Sequence, residues 1–422
     1  MLLKYYSRCI NEEHILKGKV MKNISIFLFA GLLLLACSET RSKHSNSGNQ
    51  PTGSTPPAFS VPEKKLVATD VVFTLYDKID MNRNAVWCKP MQLCWNEIVK
   101  QNGGPLKFSN PILLFDQLNK PAFPAEPGKF SYVFAGLATH ENKKKVLAES
   151  KKLNLYYNNI KAMLAPMRPI DYFAYSNYWM RANFEHEFVD GTIYFKSNNK
   201  TVRVAGFDFG YSRKQTRKLA KQVKVHYHKN LDKNEATKVY NSEFVVELKS
   251  KKKDIRLILA QVKPRATLAD NAKYIIELMN QNKEKYAGKA GRIAGRGDFF
   301  GVPNIEFKSK KMMQGFSNNI LKSSNPVLNN QELKAMFMGI KFKLDKKGAE
   351  VKAEAMIKCK AESKIRNTRR FIFDRPFFVM VLPADKDDPD FVCWVANNEI
   401  LELEKNNSGK YKKSVACRPA RR

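Results

Sequence analysis

The residues best spaced for chemistry run from Ala349 to Ala361. Every second one is small or apolar (Ala349, Val351, Ala353, Ala355, Ile357, Cys359, Ala361), and those between are charged (Glu350, Lys352, Glu354, Lys358, Lys360) except Met356. Side chains of an extended chain alternate between two faces, so this run can enter a sheet with one face buried and the other in water. Gly348 precedes it as a hinge, and Ser363 to Arg370 follow as a polar, basic stretch without periodicity. Such a segment makes no bonds itself; it offers a strand able to change place. Catalytic sets are missing elsewhere. His226 and His228 stand two apart on one face of a strand, without Cys or carboxylate ligands at metal spacing, and His186 lacks the His-Glu-x-x-His pattern. No Gly-x-Ser-x-Gly elbow, phosphate loop or dinucleotide fingerprint occurs. Neither an enzyme, a metal site nor a cofactor is expected, and Arg296-Gly297-Asp298 reads as a plain loop.

The elements that must carry this run belong to one large domain. The chain has 422 residues, 43% of them apolar, with 27 Phe and 16 Tyr, enough for a sizeable core, and shows no fixed repeat. The formal charge of +34 favours acidic partners such as lipopolysaccharide phosphates or anionic glycans. Lysines are spread through the chain without interleaved aromatics, so nucleic acid is not expected and the basicity reads as incidental.

The N-terminus gives the compartment. Lys22, an apolar run from Ile24 to Ala36 and the tetrad Leu34-Leu35-Ala36-Cys37 resemble a bacterial lipobox, in which Cys37 is lipidated and becomes the new N-terminus. The run is too short to span a bilayer and reads as a signal segment over 21–36. Residues 1–20 fit no part of that pattern, so Met21 is taken as the start. Residues 37–63, rich in Ser, Asn, Gly, Thr and Pro, form a lipidated tether with a reach of about 25 to 30 Å. Ser38 in place of Asp favours the outer membrane or cell surface. A folded domain over 64–398 and a basic tail over 399–422 complete the organisation.

A family resemblance joins these features. Phe371-Ile372-Phe373-Asp374-Arg375-Pro376-Phe377 resembles the serpin signature Phe-x-x-Asp/Asn-Arg-Pro-Phe. Trp179, Met180, Arg181 and Phe184 are similar to another serpin segment in the Tyr, Phe, Lys and Trp places. Phe244 to Leu248 with Ile255 to Val262 resemble its paired strands, and Val302 to Phe307 a further strand. Phe73 to Ile79 with Lys89 to Leu93 resemble its first helix and the segment after it. The resemblance spans roughly Lys64 to Asn398. It implies an α+β fold with a large central mixed sheet, further β-sheets, about eight or nine helices and an exposed reactive loop, in a monomer.

The resemblance also implies a mechanism. A target protease, of serine or cysteine type, cleaves the loop, is trapped as an acyl-enzyme, and is displaced as the loop inserts as an extra strand. Burying an unpaired polar side chain costs roughly 1 to 3 kcal/mol and a charge much more, so the uncharged face from Ala349 to Ala361 meets the requirement. Family spacing puts the reactive bond at Glu362-Ser363, fourteen residues past Gly348, with Pro376 a further fourteen past Glu362. Lys360, Lys364 and Arg366 are alternative cleavage residues. Departures point to the alternatives of a non-inhibitory serpin-fold binder or a basic adhesin. Lys346 stands where an acid is usual, Ala349 where Thr or Ser is usual, Gln92 replaces a serine and Met338 a histidine. Cys88, Cys94, Cys359, Cys393 and Cys417 remain for pairing, and the family places Cys88 and Cys393 on neighbouring strands, where a bridge is conceivable.

Overall fold

The computed structural model describes residues 65–404 except 211, 230–242, 252, 289–290, 294–297, 317 and 350–368. The leader, the signal segment, Cys37, the tether and residues 405–422 lie outside the described residues.

The largest sheet is built where apolar runs are continuous, as expected of strands buried on both faces. It contains β1 (Thr69–Val71), β2 (Asn84–Cys88), β9 (Val223–His228), β10 (Phe244–Lys249), β11 (Ile255–Gln261), β18 (Phe377–Pro383) and β19 (Phe391–Val395). Its order is β1-β2-β19-β18-β11-β10-β9. The β1–β2 pair is parallel and the other pairs are antiparallel, so the sheet is mixed. Period two sorts its side chains. Val246, Leu257, Val379, Val381 and Cys393 enter the main core, while Ile258, Phe378, Met380 and Trp394 point the other way. That second face is covered by the helix α6 (Leu268–Gln281), whose Thr267 cap accepts a hydrogen bond from the Asp270 N–H and whose Leu268, Ala272, Ile275 and Met279 form one apolar stripe.

Across the main core lies a four-stranded sheet of β17 (Arg370–Ile372), β12 (Phe299–Pro303), β8 (Lys200–Asp208) and β7 (Val189–Ser197), in that order. Two ribbons complete the architecture: β4 (Ser131–Leu137) with β5 (Tyr172–Tyr178), and β13 (Ile305–Gln314) with β15 (Ala335–Leu344). The short pairs are β3 (Lys107–Phe108) with β14 (Leu321–Lys322), and β6 (Ala182–Asn183) with β16 (Gly348–Ala349). Helix α1 (Pro90–Asn102) touches both ribbons. The remaining helices are α2 (Leu113–Asn119), α3 (His140–Leu153), α4 (Tyr157–Leu164) and α5 (Arg213–Ala220). Val146 of α3 and Leu164 of α4 cover Phe173 and Tyr175 on the outer face of β5.

The architecture is α+β with a large mixed sheet and further sheets. Six α-helices occur among the described residues where eight or nine were expected. One reason lies at Phe73 to Ile79, which forms turns rather than a first helix. Its backbone groups are taken by the approach to α6: Ile79 N–H donates to Ala266 O, and Leu75 O accepts from Ala269 N–H. A second difference concerns the histidines. The β9–β10 register shifts between Val245 and Val246, and such a bulge adds a residue that turns the following side chain over. His226 therefore meets Glu247, at 2.7 Å, while His228 faces the main core against Phe371, so the two do not share a face. The Cys88–Cys393 bridge is absent. Cys88 stands opposite Phe391 and Cys393 opposite Val86, a diagonal offset of about 7 to 8 Å where a disulfide needs Cβ atoms about 4 Å apart; both thiols, and that of Cys94, are free. Glu399 to Glu404, assigned to the tail from sequence, sit on the body: the Glu399 carboxylate accepts from the N–H groups of Val67 and Ala68, and Ile400 is buried.

Candidate functional site

The site is the hinge at which the alternating run leaves the body. Strand β15 is itself strictly alternating, and its buried residues are Met336, Met338, Ile340, Phe342 and Leu344. At its end the chain reverses through Lys346-Lys347. Asp345 N–H donates to Gly348 O at 2.9 Å and Gly348 N–H donates back to Asp345 O at 3.1 Å. The Asp345 carboxylate accepts from Lys347 N–H across the turn. Gly348 has φ +130°, and a Cβ there would lie 2.0 Å from Ala182 O, so both the backbone conformation and the close approach demand glycine.

After the reversal, Gly348 and Ala349 pair antiparallel with Asn183 and Ala182 of β6. Two further bonds fasten the turn: Phe184 N–H to Lys347 O and Phe188 N–H to Lys346 O, each 2.9 Å. Lys346, expected from its family position to be an acid, is buried and held by Asp190 at 2.6 Å and Glu187 at 3.3 Å. Burial opposes its charge, but the hydrogen bonds to Asp190 and Glu187 prevail and raise its ammonium above the usual lysine range. Beside it, burial raises the Asp345 carboxyl. The partners of Lys346 were not legible in sequence; only the need of a buried lysine for acids could have pointed to them.

The first residues of the run thus stand between two strands. Gly348-Ala349 are bonded on one side to β6, which continues from β5, and on the other through the turn to β15. Among the described residues, β5 is paired only with β4 and β15 only with β13, so each has a ladder edge without a strand. The loop therefore stems from a two-stranded ribbon, not from the seven-stranded sheet. Two replaced positions lie nearby. Gln92 is buried in α1 and donates to Leu118 O at 2.7 Å, and Met338 is one of the buried residues of β15.

The far foot of the loop is equally fixed. Phe299 N–H donates to Arg369 O, and β17 runs parallel to β12 from Arg370. Arg369 meets Asp298 at 2.8 Å and Arg370 meets Asp374 at 3.1 Å. Phe371, Phe373 and Phe377 are buried; the first two meet Phe244 edge-on and Phe377 packs tilted against Phe373, which explains the apolar residues of the signature. Of the expected site residues, Gly348 and Ala349 are placed at the hinge. Val351, Ala353, Ala355, Ile357, Cys359, Ala361, Glu362, Ser363, Lys360, Lys364 and Arg366 lie outside the described residues, as does Cys37. Among the described residues no group of three or more possible metal ligands occurs, and no helix is long and apolar enough to cross a membrane.

No family model matches the chain, and no curated protein matches it. Solved structures do. A thyroxine-binding globulin complex with thyroxine is similar at TM-score 0.41 and 12% identity, over 74% of this chain and 92% of that chain. The native state of tengpin, a thermophilic serpin, is similar at TM-score 0.40 and 12% identity, over 76% of this chain and 90% of that chain. A serpin from the trematode Schistosoma haematobium is similar at TM-score 0.38 and 11% identity, over 75% of this chain and 94% of that chain.

Proposed function

We propose that this chain is a serpin-type protease inhibitor whose loop, once cleaved, inserts between β5 and β15. One observation carries the reading: the phase of the alternating run agrees with both edges it would join. Continuing the Asp345–Gly348 register sets Ala349, Val351, Ala353, Ala355 and Ile357 opposite Leu344, Phe342, Ile340, Met338 and Met336, the five buried residues of β15. Continuing the Ala349–Ala182 register sets Val351, Ala353 and Cys359 opposite Met180, Tyr178 and Tyr172, which pack against the main core. Glu350 then meets Lys343 on the outer face. A slip of one residue would turn every charge inward.

In the proposed reaction the target's nucleophile attacks the carbonyl of Glu362. The peptide bond to Ser363 breaks, the amine of Ser363 leaves with a proton, and Glu362 stays esterified to the protease while the freed strand enters the slot. The reading extends to a lipid anchor at Cys37 that holds the protein on the bacterial envelope. A panel of serine and cysteine proteases incubated with residues 38–422 tests it. A denaturant-stable adduct with the cut after Glu362 is expected from the cognate protease. Quantitative loop cleavage that leaves every protease fully active overturns inhibition in favour of a non-inhibitory binder.

A further inference from the structure

The alternating run after Gly348 has one break. Met356 stands on the face where Glu350, Lys352, Glu354, Lys358 and Lys360 are all charged. The described body offers a reason. On the outer face of β5, Tyr175 is buried beneath Val146 of α3 and Leu164 of α4. On the outer face of β15, Tyr156, which leads into α4, is buried and meets Phe337 edge-on with ring centroids 5.7 Å apart. Gly339 gives it room, because a Cβ there would collide with the Tyr156 ring. The segment from α3 to α4 therefore rests on both strands that flank the slot.

The two insertion registers meet at this level. Met356 itself lies outside the described residues, but continuing the Ala349–Ala182 register sets it opposite Tyr175, and continuing the Asp345–Gly348 register sets it opposite Phe337. The other outward positions fall elsewhere. Lys352 lands between Lys341 and Trp179, which is 51% exposed. Glu354 lands between Asn177 and Gly339, near Lys308 and Lys310, whose ammonium groups lie 4.7 and 5.8 Å from the centre of the Tyr156 ring. Lys358 lands between Phe173 and Ala335, both half-buried, where a lysine stem can reach water. The one uncharged outward residue thus coincides with the level at which Tyr175 and Tyr156 are buried.

Resting on the insertion reading above, we propose that Tyr175, Phe337 and Tyr156 form an acceptor for Met356, and that Met356 is a positioning residue which carries the entering strand past α3 and α4. An unbranched thioether adapts to an irregular aromatic gap and makes favourable contacts with ring edges. A charge at the same place would be buried without a partner. A strand that stalls there leaves the Glu362 acyl bond exposed to hydrolysis. Water adds to the carbonyl, the bond to the protease breaks and its nucleophile regains a proton, so free protease is released beside a chain ending in the Glu362 carboxyl. Met356 thereby sets how the acyl-enzyme divides between trapping and release.

The test incubates the full chain with the protease that cuts after Glu362 and measures the cleavage rate and the share of cleaved chains held in denaturant-stable adduct. Met356→Lys should lower that share about tenfold or more while the cleavage rate stays within about twofold. Met356→Leu and Lys352→Met should each keep it within about twofold of the parent. The chain carrying both Lys352→Met and Met356→Lys has the parent's composition and should fail like Met356→Lys alone. Met356→Glu serves if the lysine variant does not fold. Scanning calorimetry of the cleaved chains gives a second readout: the melting temperature should rise by about 5 °C or more in the parent and by less than about half of that in Met356→Lys. A Met356→Lys chain that traps and stiffens like the parent overturns the acceptor and leaves insertion standing. Equal losses in Lys352→Met and Met356→Lys also overturn it, since position then does not matter. A parent with neither adduct nor rise removes the insertion reading, and the acceptor with it.

Discussion

Asp208, half-buried, and His228, buried, respond to acid with opposite signs. Burial pushes the Asp208 carboxyl up from 3.8 to about 6, although its carboxylate accepts from Gly210 N–H at 2.6 Å. Between those values the folded protein holds a proton that the unfolded chain has released, so this residue makes stability fall as pH rises through the window. His228 is pushed down from 6.5 to about 4, first by burial and then by Arg369 beside it. Here the unfolded chain binds the extra proton, so stability rises with pH up to 6.5. Each effect is worth about 3 kcal/mol at full extent, and in the parent they largely cancel. Asp208→Asn should therefore melt at increasing temperature from about pH 4 to pH 6.5, and His228→Phe should show the reverse slope. Calorimetric scans across that range check it, and parallel profiles in the two variants would refute the assignment.

At the scale of elements, phase is what matters. Ala353→Arg places a charge on the face that would meet Ile340 and Tyr178, and burying it costs several kcal/mol. Loss of the denaturant-stable protease adduct is expected for Ala353→Arg, with Lys352→Ala on the opposite face retaining it; an adduct that survives Ala353→Arg means that insertion is not the mechanism. Much of this was legible in sequence because it is periodic. The hairpin of β10 with β11, the continuous apolar run of β18 and the alternation after Gly348 all follow from spacing along one segment. Features set by a partner segment were not. The bulge that turns His228 away from His226 is imposed by the pairing of β9 with β10. The turns at Phe73 to Ile79 are imposed by the approach to α6, and the acids that hold Lys346 arrive from a distant stretch of chain.

For the whole molecule, insertion and simple nicking differ in heat resistance. Filling the slot would add a ladder on both edges and bury small apolar side chains. Loop cleavage should raise the melting temperature by about 5 °C or more, the effect of ~3 kcal/mol in a body of this size. The Ala353→Arg chain, cleaved in the same way, should show no rise. An unchanged transition after cleavage of the parent would leave the loop as an exposed protease substrate. Scanning calorimetry of intact and cleaved samples separates the outcomes.

The sequence by itself determined the alternation after Gly348, its uncharged face, the glycine hinge and the aromatic anchor beyond the loop, because each depends on residues that are near neighbours in the chain. Only the tertiary structure decided which strands flank the hinge, that Lys346 is neutralised by Asp190 and Glu187, and that Cys88 and Cys393 are offset. These depend on register and on contacts between segments far apart in the chain, which periodicity along a single segment does not encode.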